Sequence, residues 1–65
     1  MPQKNQSPRL TEQRAAHIKW LWANTPLNQA QISAALGAIN QGRVSEVLNG
    51  KRFPEVPPEQ FEGWH

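Results

Sequence analysis

The 65-residue sequence contains no cysteine, no tyrosine, no aspartate and no long hydrophobic run. Without cysteine, neither disulfides nor a thiolate zinc site can stabilise so short a chain, so it depends on packed helices or on a partner subunit. No apolar stretch approaches the roughly 18 residues that span a bilayer. The N-terminal MPQKNQSPRL also lacks the apolar segment of a signal peptide. These absences predict one small domain of a soluble, cytoplasmic protein.

Groups that carry catalysis are equally scarce. The histidines are His17 and His65, and no carboxylate lies at a spacing from His17 that suggests an acid–base pair or a metal site. Glycine-rich phosphate-binding loops are absent. We therefore expect that the protein is not an enzyme, has no metal site and needs no cofactor.

Charge is distributed unevenly along the chain. All seven lysines and arginines lie within residues 1–52 with two of the five glutamates, and the other three glutamates lie within residues 53–65. A body of about +5 therefore precedes a tail of about −3, within a net charge of +2. Such a body favours a polyanionic partner. The alternative is an ordinary surface of mixed charge.

Helix signals occur three times in the middle of the chain. Thr11 is the expected N-cap of a first helix, which stops before Pro26 because a residue that precedes proline leaves the helical region. Asn28 is expected to cap a second helix, and Asn40 a third that ends at Gly50. The sequence therefore predicts an all-α fold, a small three-helix domain.

The flanking segments differ from this helical region. Residues 1–10 are polar and contain two prolines, which predicts a flexible N-terminal arm. The domain is expected over 11–54, followed at 55–65 by a Pro-rich, acidic tail with aromatic anchors. Three prolines between 54 and 58 exclude a continuous helix there.

Helical spacing assigns the apolar residues to inward faces. These are Ala15, Ile18, Leu21 and Trp22 on the first helix, Ile32, Ala35 and Leu36 on the second, and Val44, Val47 and Leu48 on the third. Trp20 is expected on the opposite side of the first helix, beside Gln13 and Ala16. An outward tryptophan must be covered or form a contact. We therefore expect Trp20, with Phe61 and Trp64 of the tail, either at a dimer interface or under a tail that folds back over Trp20.

The outer arc of the third helix carries groups that hydrogen-bond to DNA. After the cap Asn40, it comprises Gln41, Gly42, Arg43, Ser45, Glu46 and Asn49. Amides bond adenine, arginine bonds guanine, and a carboxylate accepts from cytosine. Gly42 allows close approach of the helix N-terminus to an anion, and Lys51 and Arg52 are suited to phosphates. Arg43 is assigned equally to a base or a phosphate, and Glu46 either reads a base or holds Arg43. The alternative for the whole arc is a solvated helix face.

Residues 27–54 resemble the helix-turn-helix of phage Cro and repressor proteins, a large group of bacterial transcription regulators. The matching elements are Gln29-Ala30-Gln31, Leu36-Gly37, Gln41, Val44-Ser45 and Asn49-Gly50-Lys51-Arg52 followed by Pro54. The resemblance implies that Gln41 and Ser45 contact bases and that Gln29 supports a phosphate contact. It also implies a turn shorter by one residue than Gly37-Ala38-Ile39-Asn40.

The sequence thus predicts a bacterial or phage transcription regulator that binds double-stranded DNA in the nucleoid. The third helix, at about 40–49, is expected in the major groove, and a homodimer is expected because one such helix reads few base pairs. A second hypothesis is an interaction module that docks on RNA polymerase or another protein, to which the aromatic tail is suited. A third is that the chain is one DNA-binding domain of a larger regulator.

Overall fold

Three helices make up the regular structure of residues 9–62, the part of the chain that the computed structural model describes. They are α1, Glu12–Asn24, α2, Gln29–Ala35, and α3, Gln41–Leu48, and each helix contacts the other two. No strand occurs within 9–62. The all-α, three-helix prediction is confirmed. The Trp64 contact and residues 1–8 of the predicted flexible arm lie outside this part of the chain, whereas Leu10, at the end of the arm, packs against the core.

All three predicted N-caps are confirmed. The Thr11 side chain accepts a hydrogen bond from the Arg14 amide at 3.2 Å. Asn28 and Gln31 form a reciprocal capping box, with bonds of 2.8 and 2.9 Å between each side chain and the other's amide. These bonds satisfy amides that have no partner within their own helix. The first and second helices thus begin where local side-chain chemistry predicts.

The core lies where the three helices meet. Its largest fully buried side chains are Ile18 and Leu21 from α1, Ile32 from α2, Val44 and Val47 from α3, and Ile39 from the turn before α3. Burial of one such side chain contributes about 1.5–3 kcal/mol. Because Val44 and Val47 lie one turn apart, they fix which side of α3 faces inward. The opposite side of α3 therefore faces solvent.

The connection between α2 and α3 is a tight turn built on Ser33. Gly37, with φ of 86°, follows the helix in the left-handed region, and Ala38, with φ of 67°, continues it. The amides of Ala38 and Ile39 both donate to the Ser33 carbonyl, at 2.8 and 3.2 Å. The Ser33 hydroxyl donates to the Ile39 carbonyl. These bonds turn Ile39 into the core, a role that the helical pattern did not predict.

Two tryptophans on α1 differ from the sequence prediction. Trp22 was expected in the core, but it is the one large hydrophobic residue of the described chain that is exposed, at 49%. Helix α1 has 13 residues, whereas α2 has seven and α3 eight. Helices of those lengths cover only part of a helix of about 20 Å. Trp22 lies in the last turn of α1, where the neighbouring Leu21 is fully buried and the Trp22 side chain is left exposed. Trp20 was expected to point outward, but it is half-buried and packs against the core.

The tail lies along α1 and does not extend away from the domain. Lys19 donates from Nζ to the carbonyls of Phe53 and Val56, at 2.7 and 2.6 Å. Further along, the Glu59 amide donates to the Ala16 carbonyl at 3.1 Å. Ala16, which was expected on the outer face with Trp20, is buried as a result. This tail strap, residues 53–61, covers the side of α1 that the other helices leave open.

Candidate nucleic-acid interface

The solvent-facing surface of α3 holds most of the residues that the sequence assigned to DNA contact. The exposed members of this set are Asn40, Gln41, Gly42, Arg43, Asn49, Lys51 and Arg52, while Gln29, Ser45 and Glu46 are half-buried. All of these but Gln29 belong to α3 or flank it directly; Gln29 is the first residue of α2. The fold thus brings the predicted α3 residues together on one continuous surface.

The N-terminus of α3 is organised by Asn40. The Asn40 side chain accepts a hydrogen bond from the Gly42 amide at 2.7 Å. A Cβ added at Gly42 would lie 3.0 Å from the Asn40 side-chain oxygen, tighter than most such contacts. Glycine at this position therefore accommodates the cap as well as leaving the first turn of α3 open to a ligand. The neighbouring Gln41 side chain extends into solvent and makes no hydrogen bond within residues 9–62.

Glu46 bridges two arginines across the end of α3. Its Oε1 accepts from Arg43 Nη1 at 3.0 Å and from Arg52 Nε at 2.5 Å. The sequence predicted the Arg43 pair as one alternative, and the structure contains it; the bond to Arg52 was not foreseen. These bonds, Arg52 first and then Arg43, hold the pKa of the Glu46 carboxyl below its ordinary value. Since all three side chains are at least a third exposed, the pairs orient the groups more than they stabilise the fold.

A second polar pair lies on the same surface. The Asn49 side-chain amide donates to the Ser45 carbonyl at 2.9 Å and to the Ser45 hydroxyl at 3.2 Å. Both side chains were assigned to base contact, and in the free protein they bond each other. The pair closes the last turn of α3 and leaves the Asn49 side-chain oxygen as an acceptor that faces solvent.

The chain leaves α3 through a Schellman motif that determines the position of the two cations after it. Gly50, with φ of 78°, donates to the Val47 carbonyl at 3.2 Å, and the Lys51 amide donates to the Glu46 carbonyl at 2.8 Å. Lys51 and Arg52 are therefore held beside the C-terminus of α3. With Arg43 they make three exposed cations around this helix, against the single carboxylate of Glu46.

The predicted interface aromatics lie elsewhere. Phe61 is half-buried, with its ring centroid 5.0 Å from that of His17 on α1. Trp20 packs against the core, as described above. Both contacts form within one chain, and the strap folds back onto α1 at Ala16, where the Glu59 amide bonds the Ala16 carbonyl. Among residues 9–62, the aromatic that remains open to a partner is Trp22, which sequence periodicity had assigned to the core.

Comparison with known proteins gives no assignment: no family model, no curated protein and no solved structure matches this chain. Within the described residues, no helix is long and apolar enough to cross a membrane. The same residues contain no group of three or more histidines and carboxylates that could hold a metal ion. The function must therefore be argued from the α3 surface itself.

Proposed function

We propose that this chain is a sequence-specific DNA-binding module of the helix-turn-helix kind that regulates transcription. Helix α3 would enter the major groove, with Gln41, Arg43 and Ser45 toward base edges and Lys51 and Arg52 on phosphates. The observation that carries the proposal is the outer surface of α3: it is polar, exposed at both ends of the helix and carries three exposed cations in or next to the helix. Protein–DNA recognition needs this combination, since phosphate contacts fix the register and side chains on a helix read the bases.

The rigid mounting of α3 supports the same proposal. Val44 and Val47 are fully buried against the other helices, and the Ser33 bonds fix the turn that leads into α3. Base readout requires side chains held in a defined register, because each bidentate contact contributes about 1–3 kcal/mol of discrimination only when its geometry is correct. Helix α3 is held along its buried face and at both of its ends, so it meets that requirement.

The size of the recognition surface favours a dimer on DNA. Helix α3 has eight residues, and a single helix of this length contacts only a few base pairs. Two copies on neighbouring half-sites would double the contacts. Bound operator sequences would then contain a two-fold repeat with half-sites about one helical turn apart.

Selection of bound duplexes from a random pool, followed by fluorescence anisotropy over a range of salt concentrations, tests this function. We expect an enriched sequence and a linear fall of log K with log salt, because cations displace counterions from phosphates. Lys51→Gln should weaken binding to every duplex and reduce the salt slope by about 0.9. Gln41→Ala should relax the preference at a particular base pair while leaving binding to random duplex nearly unchanged.

Arg14→Gln is the matched control for Lys51→Gln. It also removes one positive charge, but Arg14 lies on α1, where its side chain donates to the Arg9 carbonyl at 2.7 Å. This variant should keep the salt slope and the sequence preference of the unaltered protein. If no duplex is enriched and none binds at low salt, the DNA-binding proposal is wrong. If Arg14→Gln and Lys51→Gln weaken binding equally, charge alone governs binding and the assignment to α3 fails.

One observation favours a second candidate function, a protein-interaction module. Trp22 exposes about half of its surface at the end of α1, and tryptophan is enriched at protein interfaces. Size-exclusion chromatography with light scattering, with and without duplex, distinguishes the candidates. This function would be supported if Trp22→Gln lost an assembly that the unaltered protein forms and still bound DNA with unchanged affinity. Unchanged assembly of that variant in both conditions would count against it.

A further inference from the structure

Glu46 places a negative charge in the middle of the surface that is proposed to meet DNA. An unpaired carboxylate there would repel phosphates, yet it lies between Arg43 and Arg52, and one oxygen accepts from both. Arg43 belongs to α3 and Arg52 to the segment after it, so Glu46 joins two parts of the surface that the backbone alone leaves independent. Its position at the i+3 spacing from Arg43 explains one bond, and the Schellman turn brings Arg52 within reach for the other.

The atoms used in these bonds determine what remains for a ligand. Glu46 engages the Nε of Arg52, which leaves both terminal nitrogens of that guanidinium available. It engages only Nη1 of Arg43, which leaves the Nη2 and Nε hydrogens. A guanidinium presents five N–H donors in a planar fork that matches paired acceptors. The bridge therefore restrains the rotation of two long side chains while preserving their bidentate capacity.

We propose that Glu46 is a positioning residue for sequence selection: it orients Arg43 toward paired acceptors on a guanine edge and Arg52 toward the adjacent phosphate. The inference rests on the proposed DNA-binding function. Glu46 also lowers the local charge of the bridged group from +2 to +1, which weakens binding driven by the phosphates alone. Specificity is the difference between the binding free energies for the selected and the random duplex. A residue that weakens binding to random duplex and strengthens binding to the selected duplex therefore increases specificity in two ways.

Two substitutions separate the charge of Glu46 from its position. Glu46→Gln removes the charge: we expect tighter binding to random duplex, a salt slope steeper by about 0.9 and a ratio of selected to random affinity lowered at least about fivefold. Glu46→Asp keeps the charge but shortens the side chain, so that one carboxylate no longer reaches both arginines. We expect random binding near that of the unaltered protein and the same loss of selectivity.

Glu55→Gln is the matched control, because it removes an exposed carboxylate from the tail without touching α3. A further readout does not involve DNA: the Nε–H resonance of Arg52 in ¹⁵N-resolved NMR should exchange slowly with water in the unaltered protein and rapidly in Glu46→Gln. A merely structural role for Glu46 would not separate the two duplex affinities. An unchanged far-UV circular dichroism spectrum and cooperative unfolding of each variant would show that the fold is intact.

The outcomes distinguish the two proposals. If the unaltered protein enriches a sequence but Glu46→Asp and Glu46→Gln retain its full selectivity, the positioning role is wrong and the DNA-binding function stands. If Glu55→Gln reproduces the effect of Glu46→Gln, net charge alone is responsible, and the positioning role is again overturned. If the unaltered protein enriches no sequence, both proposals fall together. Loss of selectivity in both Glu46 variants, with selectivity kept in Glu55→Gln, is the supporting result.

Discussion

Replacing Lys19 with methionine removes the two hydrogen bonds that hold the tail strap to α1 while keeping most of the apolar stem. The Nζ group donates to the Phe53 and Val56 carbonyls at 2.7 and 2.6 Å, and each bond from a charged donor contributes about 1.5–3 kcal/mol where water is excluded. Lys19 is only half-buried, and the carbonyls it releases can bond water. Phe53 also has a positive φ of 51°, and relaxation of that strain, which costs about 1–2 kcal/mol, would offset part of the loss.

The expected loss for Lys19→Met is therefore about 2 kcal/mol. A protein of 65 residues has an unfolding free energy of about 3–10 kcal/mol, so this is a large fraction of the total. For a domain of this size, 1 kcal/mol changes the midpoint temperature by about 4–8 °C. Circular dichroism at 222 nm during heating should thus report a midpoint lower by about 8–16 °C. Urea unfolding gives the free energy itself.

A protease that cleaves after glutamate tests the strap directly, since Glu55 and Glu59 both lie in it. Cleavage at these residues should be faster in Lys19→Met than in the unaltered protein, because the strap detaches more often. Lys51→Met is the matched control: it removes the same charge from an exposed residue that does not contact the strap. If the two variants unfold at the same temperature and are cleaved at the same rate, the Lys19 bonds do not stabilise the strap.

Three further predictions concern local features of the fold. Ala38→Gly should raise the unfolding free energy by about 0.5–1 kcal/mol in urea, because glycine adopts the φ of 67° without the penalty paid by alanine; Ala38→Val should lower it. The pKa of Glu46 is lowered from its ordinary 4.5 in the folded protein. The ionised carboxylate therefore stabilises the fold above pH 4.5, and this stabilisation is lost as the pH falls through the pKa of the folded state. Unfolding free energies of the unaltered protein and of Glu46→Gln should differ at pH 6 and converge at low pH. Trp22→Gln should leave the midpoint temperature within about 4 °C, since surface changes cost less than about 0.5 kcal/mol.

The helices could be predicted from the sequence because their ends depend on neighbouring residues. The Thr11, Asn28 and Asn40 caps each bond an amide two or three residues along the chain. Gly37 and Gly50 end the short helices in the conformation that glycine adopts at least cost. Such signals act over one turn, so a single sequence contains all the information that they need.

The burial of α1 could not be predicted in the same way. Periodicity states which side of a helix a residue occupies, but not how far along the axis its neighbours extend. Trp22 has the azimuth of a core residue, but in the last turn of α1 it is Leu21 that is fully buried and Trp22 that is exposed. Ala16 has the azimuth of a surface residue and is buried by a strap that meets it from residue 59, far along the sequence. Lys19 likewise became a structural residue only through that strap.

For the proposed interface, the sequence identified the α3 residues that share a surface and anticipated the Arg43–Glu46 pair, but it did not predict the bond from Arg52. The bond from Arg52 to Glu46 depends on the turn at Gly50, and that turn is followed by Phe53, whose carbonyl Lys19 holds. Arg52 is therefore restrained from two sides, by a carboxylate on α3 and by a lysine on α1 through the next residue of the chain. The tail strap and the α3 surface are consequently connected through Arg52 and Phe53, which are neighbours in the chain. Detaching the strap by Lys19→Met should also loosen Arg52, so the Nε–H of Arg52 should exchange with water faster in this variant, as measured by NMR. An exchange rate equal to that of the unaltered protein would show that Glu46 alone holds Arg52.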